Sequence, residues 1–159
     1  MWERLRRFSL LSAEERGVFF RALVSLPLIS TSLKLRGFRA TQEFLLRSSP
    51  LALEASPGGF TDLPRDTVRT QLTVRMVNAA VRHAWRASTC LEKSLALFWL
   101  LRRQGIPSEL RIGARKLDGK FEAHAWVERE GVALNEPQQQ HRHYATFDEA
   151  FPLRSSETL

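Results

Sequence analysis

The sequence predicts an α+β domain: a helical N-terminal half, then one buried helix packed against a small antiparallel sheet. Three features carry this expectation. Through residue 85 the apolar residues recur at helical spacing. The stretch "CLEKSLALFWLLRR" at 90–103 is apolar on almost every side, as a buried helix is. From Glu109 onward the pattern changes to alternation broken by glycine turns. A chain of 159 residues is the size of one domain, here read as a helical part (1–85), a core (86–137) and a C-terminal tail (138–159).

Ser12 opens the first helix with a capping-box pattern, Glu15 following three residues later. Phe19, Ala22, Leu23 and Leu26 trace one face, and Pro27 is expected to end or kink the helix. A second amphipathic piece spans 31–47, and the Ser-, Pro- and Gly-rich segment 48–64 reads as a loop. In the helix from Arg65 to Trp85, Val68, Leu72, Met76 and Ala79 line one face and arginines the other. Gly105 and then Pro107 supply the stop after the Cys90 helix. "ELRIGAR" alternates, with Leu110, Ile112 and Ala114 on one side, and Asp118–Gly119 signals a hairpin turn. "FEAHAWVE" alternates again, and Gly131 marks the turn into "VALNE".

Composition narrows the class. Of 24 basic residues 20 are Arg and four are Lys, and the net charge is +7. The arginines are scattered (Arg4, Arg21, Arg47, Arg75, Arg111, Arg154) and no zinc finger or aromatic RNA-binding signature accompanies them. They read as a solvated surface and not as a nucleic-acid stripe, though one compatible with an acidic peptide or a partner protein. The single cysteine excludes an internal disulfide and argues for a reducing compartment, hence a cytoplasmic location. The N-terminus does not read as a secretory signal. The apolar run "VFFRALVSLPLIS" is interrupted by Arg21 and Pro27, short of the roughly 20 residues a spanning helix needs. No transmembrane segment is therefore expected, and the run is assigned to the core.

Cys90 stands where chemistry would need it. With Thr89 as N-cap and Glu92 completing a capping box, it falls on the first turn of its helix. Free backbone N–H groups and the helix dipole favour an anion there, so a thiolate. A thiolate nucleophile needs a proton-handling partner. In "FEAHAWVERE", Glu122, His124, Trp126 and Glu128 share one face of the strand, and the opposite face is wholly apolar. His124, between two small alanines, is the candidate base, and Trp126 the candidate wall for substrate. A third group should orient the imidazole. A three-residue turn at 129–131 would put Glu136 directly across from His124, whereas a two-residue Glu130–Gly131 turn would make Asn135 a diagonal neighbour instead. Glu136 is preferred, with Asn135 as the alternative. His83 reads as a packed or boundary residue. His141 and His143, far from the one cysteine, do not make a zinc set. No Gly-rich phosphate loop, paired-carboxylate motif or Ser nucleophile elbow is present.

"TCLEKSLALFWLLRRQGIPSELRIGARK" followed by "FEAHAWVEREGVALNE" resembles the transglutaminase-like superfamily, in the branch that holds the lasso-peptide leader peptidases. The matching features are the cysteine at a helix start, the "LLRR-GIP" exit, the "L-I-G" strand and "AHAWVE" before a glycine turn, covering about residues 84–137. The resemblance implies a papain-like core with a Cys–His–acid triad, Cys90 as nucleophile and His124 as base. The third position falls at Glu136, where the family usually has Asp. It also implies a cysteine peptidase that removes the leader from a ribosomally made lasso-type precursor through an acyl-enzyme, with no metal or other cofactor. The implied partners are the precursor leader peptide, a separate leader-recognition protein (the split arrangement) and an ATP-dependent lasso cyclase. Two other readings stay open: a peptide-binding scaffold of the same fold without efficient chemistry, and an acyltransferase that passes the acyl group to an amine.

Overall fold

A computed structural model describes residues 11–49, 63–117, 119–136 and 144–146. Three helices come first: α1 (Ala13–Ser48), α2 (Leu63–His83) and α3 (Cys90–Arg103). Four strands follow, β1 (Glu109–Leu117), β2 (Lys120–Arg129), β3 (Val132–Ala133) and β4 (Ala145–Thr146), in one antiparallel sheet of order β3-β2-β1-β4. The α+β class expected from the sequence is the class observed. Helix α3 is the centre of the molecule. Leu95, Ala96, Leu97 and Leu101 have no exposed surface, with α1 and α2 packed on one side and β2 and β1 on the other. An all-round apolar helix is stable only in such surroundings.

The ends of α3 are fixed by local chemistry. The Thr89 hydroxyl accepts from Glu92 N–H at 3.2 Å and the Glu92 carboxylate accepts from Thr89 N–H at 2.9 Å, closing the capping box. At the other end Gly105 adopts φ 73°, and Gly105 N–H and Ile106 N–H donate to the carbonyls of Arg102 and Leu101. This is a Schellman termination, and the fully buried Ile106 supplies its apolar contact.

Three expectations change. Helix α1 runs through Pro27 and breaks instead at Gly37, whose φ 77° and ψ −179° are open essentially to glycine alone. Pro27 removes a single backbone donor, and the buried face formed by Val18, Phe19, Ala22, Leu26 and Ile29 carries the helix on past it. The break at Gly37 is stitched by Thr41 Oγ1, which donates to Gly37 O at 2.8 Å and lies 2.9 Å from Ser32 Oγ. With that continuity α1 is long and apolar enough, by length and composition alone, to cross a membrane; in this fold one of its faces is core.

The buried face of α2 is Thr70, Thr73, Met76, Val77 and Ala80, while Val68 is exposed. The two threonine hydroxyls donate within the helix to Asp66 O and Arg69 O, so both side chains enter the core with their donors satisfied. The third change is in the tail: Ala145 and Thr146 pair with Ala114 and Gly113, so the sheet extends past the boundary set at residue 137. A two-residue strand carries no periodicity to read. The segment 50–62 and the histidines His141 and His143 lie outside the described residues.

Gly37→Ala is expected to destabilise the protein by about 1–3 kcal/mol, through backbone strain alone. Gly17→Ala, at a helical position where nothing lies within 4 Å of the added carbon, should stabilise it by roughly 0.5–1 kcal/mol. Urea unfolding of the two variants reads both signs.

Candidate active site

Cys90 is the first residue of α3 and is half-buried. The turn that carries it is anchored twice. Besides closing the capping box, Glu92 is paired with Arg86, whose guanidinium also donates to Ser30 Oγ on α1. Burial opposes ionisation of Glu92, but the hydrogen bonds from Thr89 N–H, Ser30 and Arg86 outweigh it and hold the carboxyl below its ordinary value. The sulfur therefore sits on a fixed helix mouth.

His124 is carried by β2 with 17 % of its side chain exposed. Ala125 and Val127 turn to the buried side, and the alternate residues, His124, Trp126 and Glu128, share the other face. On β1 the residues opposite that face are Gly113, Arg111 and Glu109. Ion pairs flank the histidine along it: Arg111 with Glu128 on one side, Arg115 with Glu122 on the other.

Glu136 reaches His124, by a route that simple register does not predict. The β2–β3 turn is the two-residue one, with Glu130 at φ 53° and Gly131 at φ 75°, and the pairs are Arg129 with Val132 and Glu128 with Ala133. The three-residue turn that favoured Glu136 is thus corrected. Continued as a regular ladder, this register would exchange both bonds between Val127 and Leu134. Leu134 N–H does donate to Val127 O at 2.8 Å, but Val127 N–H donates instead to Asn135 Oδ1 at 2.8 Å. A side chain has replaced a rung. The chain bends over 134–136, and Glu136 Oε1 comes to 3.4 Å from His124 Nε2.

Asn135, the alternative orienter, is committed elsewhere. Its Nδ2 donates to Ser94 Oγ at 2.9 Å, and Ser94 Oγ donates to Ala125 O at 2.8 Å. Lys93 Nζ donates to Asn135 O at 2.9 Å and stands 3.8 Å from Glu136 Oε1. One buried network therefore joins the second turn of the Cys90 helix, the residue after His124 and the residue before Glu136. His124 Nε2, buried and facing the Glu136 carboxylate, makes no formed hydrogen bond.

Trp126, expected as a wall against substrate, has no exposed surface. Its Nε1 donates to Glu128 Oε1 at 2.6 Å and its ring stacks near His124, centroids 6.1 Å apart. It backs the histidine and, fully covered, is not exposed as the expected wall would be. The sequence reading missed Lys93, Ser94, Gly113 and Tyr144. Tyr144, just before β4, lies 5.2 Å from His124 and 6.3 Å from Trp126 between ring centroids. Its phenol is pushed above its ordinary value by burial, opposed by the Arg115 guanidinium and reinforced by Glu122. Tyr144 thus packs beside both the histidine and the tryptophan behind it. His83 is exposed and lies apart from this cluster, with Nδ1 2.8 Å from Ala79 O. Among the described residues no group of three or more His, Cys, Asp or Glu is arranged to hold a metal.

Ser94→Ala orphans the Asn135 amide and the Ala125 carbonyl together. Leaving buried polar groups unpaired should lower unfolding free energy by about 1–3 kcal/mol, measured in urea. Because the folded carboxyl of Glu92 is depressed, its stabilisation is complete above the unfolded-chain value of about 4.3 and is lost as the pH falls through the lower folded value. The loss of stability on acidification is therefore expected to be shallower in Glu92→Gln, which has no carboxylate to protonate, by thermal melting across that range.

A comparison with protein-family models matches residues 32–147 to the transglutaminase-like superfamily. No curated protein and no solved structure matches the chain. The match spans more than half of the 159 residues and takes in α2, α3 and all four strands. Helix-mouth cysteine, strand histidine and adjoining glutamate thus lie within a chain that belongs to the transglutaminase-like superfamily.

Proposed function

We propose that the protein is a cysteine peptidase that removes the leader from a ribosomally synthesised, lasso-type precursor peptide. The observation that carries the reading is the pairing of His124 with Glu136, 3.4 Å apart in a largely buried setting, in a fold whose family superposes cysteine-dependent acyl chemistry on such a pair. The lasso-type assignment rests on the sequence resemblance of residues 84–137.

In this reading Cys90 is the nucleophile, His124 the base and Glu136 the orienter. Glu136 faces Nε2, which leaves the other ring nitrogen, Nδ1, for the thiol proton. The thiolate attacks the scissile carbonyl, forming the C–S bond, and the C–N bond breaks as the imidazolium gives its proton to the departing amine. Water then surrenders a proton to His124 and its oxygen displaces the sulfur, releasing the acid and regenerating the thiol. The backbone N–H of Cys90 is the candidate donor to the oxyanion. Lys93 neutralises part of the charge on Glu136, and a carboxylate so held orients the ring without taking its proton. The partners in this scheme are the leader peptide, a separate leader-recognition protein and an ATP-dependent cyclase, all in the cytoplasm.

One observation favours a second reading, a peptide-binding scaffold: the Nε2–Oε1 approach is not a formed hydrogen bond. Such bonds are often long before substrate arrives, so the peptidase reading is kept first. The purified protein with its precursor and leader-binding partner is expected to release the leader. Cys90→Ala should abolish release and His124→Ala slow it by about 10²–10⁴-fold. Precursor that stays intact with the wild-type protein overturns the peptidase. A product carrying an added amine in place of the new carboxylate makes it an acyltransferase.

A further inference from the structure

Across the sheet, one row of residues runs from β2 through β1 to β4: His124 is paired with Gly113, and Gly113 with Thr146. The middle position has no side chain. A carbon added to Gly113 would lie 2.9 Å from Tyr144 Cβ and 3.0 Å from the Trp126 ring, closer than such atoms come. The space over Gly113 is occupied by two aromatic rings that meet His124 there. Tyr144 is held in that slot from its outer side. The Arg115 guanidinium lies 4.7 Å from the ring centroid, and the hydroxyl donates to Glu122 Oε2 at 3.4 Å. Arg115 and Glu122 are themselves paired, so the clamp is closed on the β1–β2 hairpin.

We propose that Tyr144 is a positioning residue for His124: its ring, reaching over Gly113 from the sheet edge, holds the imidazole in the plane that presents one nitrogen to Glu136 and the other to Cys90. The inference rests on the Cys90–His124 reading. It assigns the work to the ring face and not to the hydroxyl, which is turned to Glu122. An imidazole resting on Trp126 alone would rotate about χ2, a broad and soft torsion. A second ring, Tyr144 at 5.2 Å and so nearer than Trp126 at 6.1 Å, removes that freedom. The clamp also makes the sheet edge part of the site, so the two-residue strand β4 has a purpose beyond pairing.

The test uses the full-length protein and iodoacetamide, whose reaction with Cys90 is followed by mass spectrometry from pH 5 to 10. A free thiol reacts faster up to about pH 8.5, whereas a thiol with a positioned imidazole reacts already near pH 6. Tyr144→Phe is expected to keep the wild-type profile. Tyr144→Ala should lose at least about tenfold in rate near pH 6, while converging with wild type above pH 9 where any thiol is ionised. Gly113→Ala, which crowds Tyr144 Cβ and the Trp126 ring at 2.9 and 3.0 Å, should reproduce that loss, and it stands in for Tyr144→Ala should the latter fail to fold. Retention of the wild-type profile by both Tyr144→Ala and Gly113→Ala overturns the proposal and leaves the peptidase reading intact. A wild-type profile that itself follows the free thiol removes the peptidase reading, and Tyr144's role with it. A Tyr144→Phe profile as damaged as that of Tyr144→Ala overturns the assignment to the ring.

Discussion

The hydrogen bonds that Ser94 makes with Asn135 and with the Ala125 carbonyl are the constraint on which the rest of the site depends. Ser94 has no exposed surface and Asn135 very little, so these bonds are made in a medium where leaving them unmade is expensive. Each end is next to a chemically important residue. Ser94 is one helical turn from Cys90, Ala125 follows His124, and Asn135 precedes Glu136. A helix packed on a sheet can slide or tilt while keeping its apolar contacts, because those contacts have no direction. The polar tie has direction, and it fixes how α3 sits on the sheet between elements far apart in sequence.

The same tie explains how Glu136 arrives. A two-residue turn and a regular ladder would have put the glutamate out of step with His124. Asn135 ends the ladder by accepting from Val127 N–H with its own side-chain oxygen, and the bend this permits turns Glu136 inward. A glutamate side chain is long enough to serve a position reached by a bend and not by direct cross-strand pairing. Lys93 then gathers the Asn135 carbonyl and the Glu136 carboxylate toward α3. Around this centre the Arg86–Glu92 pair fixes the helix mouth and the Arg115–Glu122 pair fixes the outer clamp, so three of the elements that meet at the site are held by charge.

Much of this was legible in the sequence wherever the signal is local. The capping box at Thr89, the stop at Gly105, the alternation around His124 and the central role of the 90–103 helix all follow from spacing rules acting within a few residues. What was misread depends on contacts made at a distance. Pro27 does not end α1, because the buried face on either side outweighs one lost donor. Val68 is exposed because Thr70 and Thr73 satisfy their hydroxyls internally and enter the core in its place. Trp126 looked like a surface wall because alternation assigns it a face but not what covers that face. Tyr144 left no trace, since a two-residue strand has no period and the empty position at Gly113 reads simply as a small residue in a strand. Glu136 comes beside His124 through a bend and not through the three-residue turn, a route that a register argument alone cannot foresee.

The central claim is that the thiol of Cys90 and the imidazole of His124 share a proton across the helix–sheet junction. NMR titration of the His124 ring nitrogens in the wild-type protein and in Cys90→Ser measures that directly, with no substrate needed. The account predicts that removing the thiol displaces the titration curve of His124 while leaving that of the remote His83 where it was. Superimposable curves for His124 in the two proteins would contradict it.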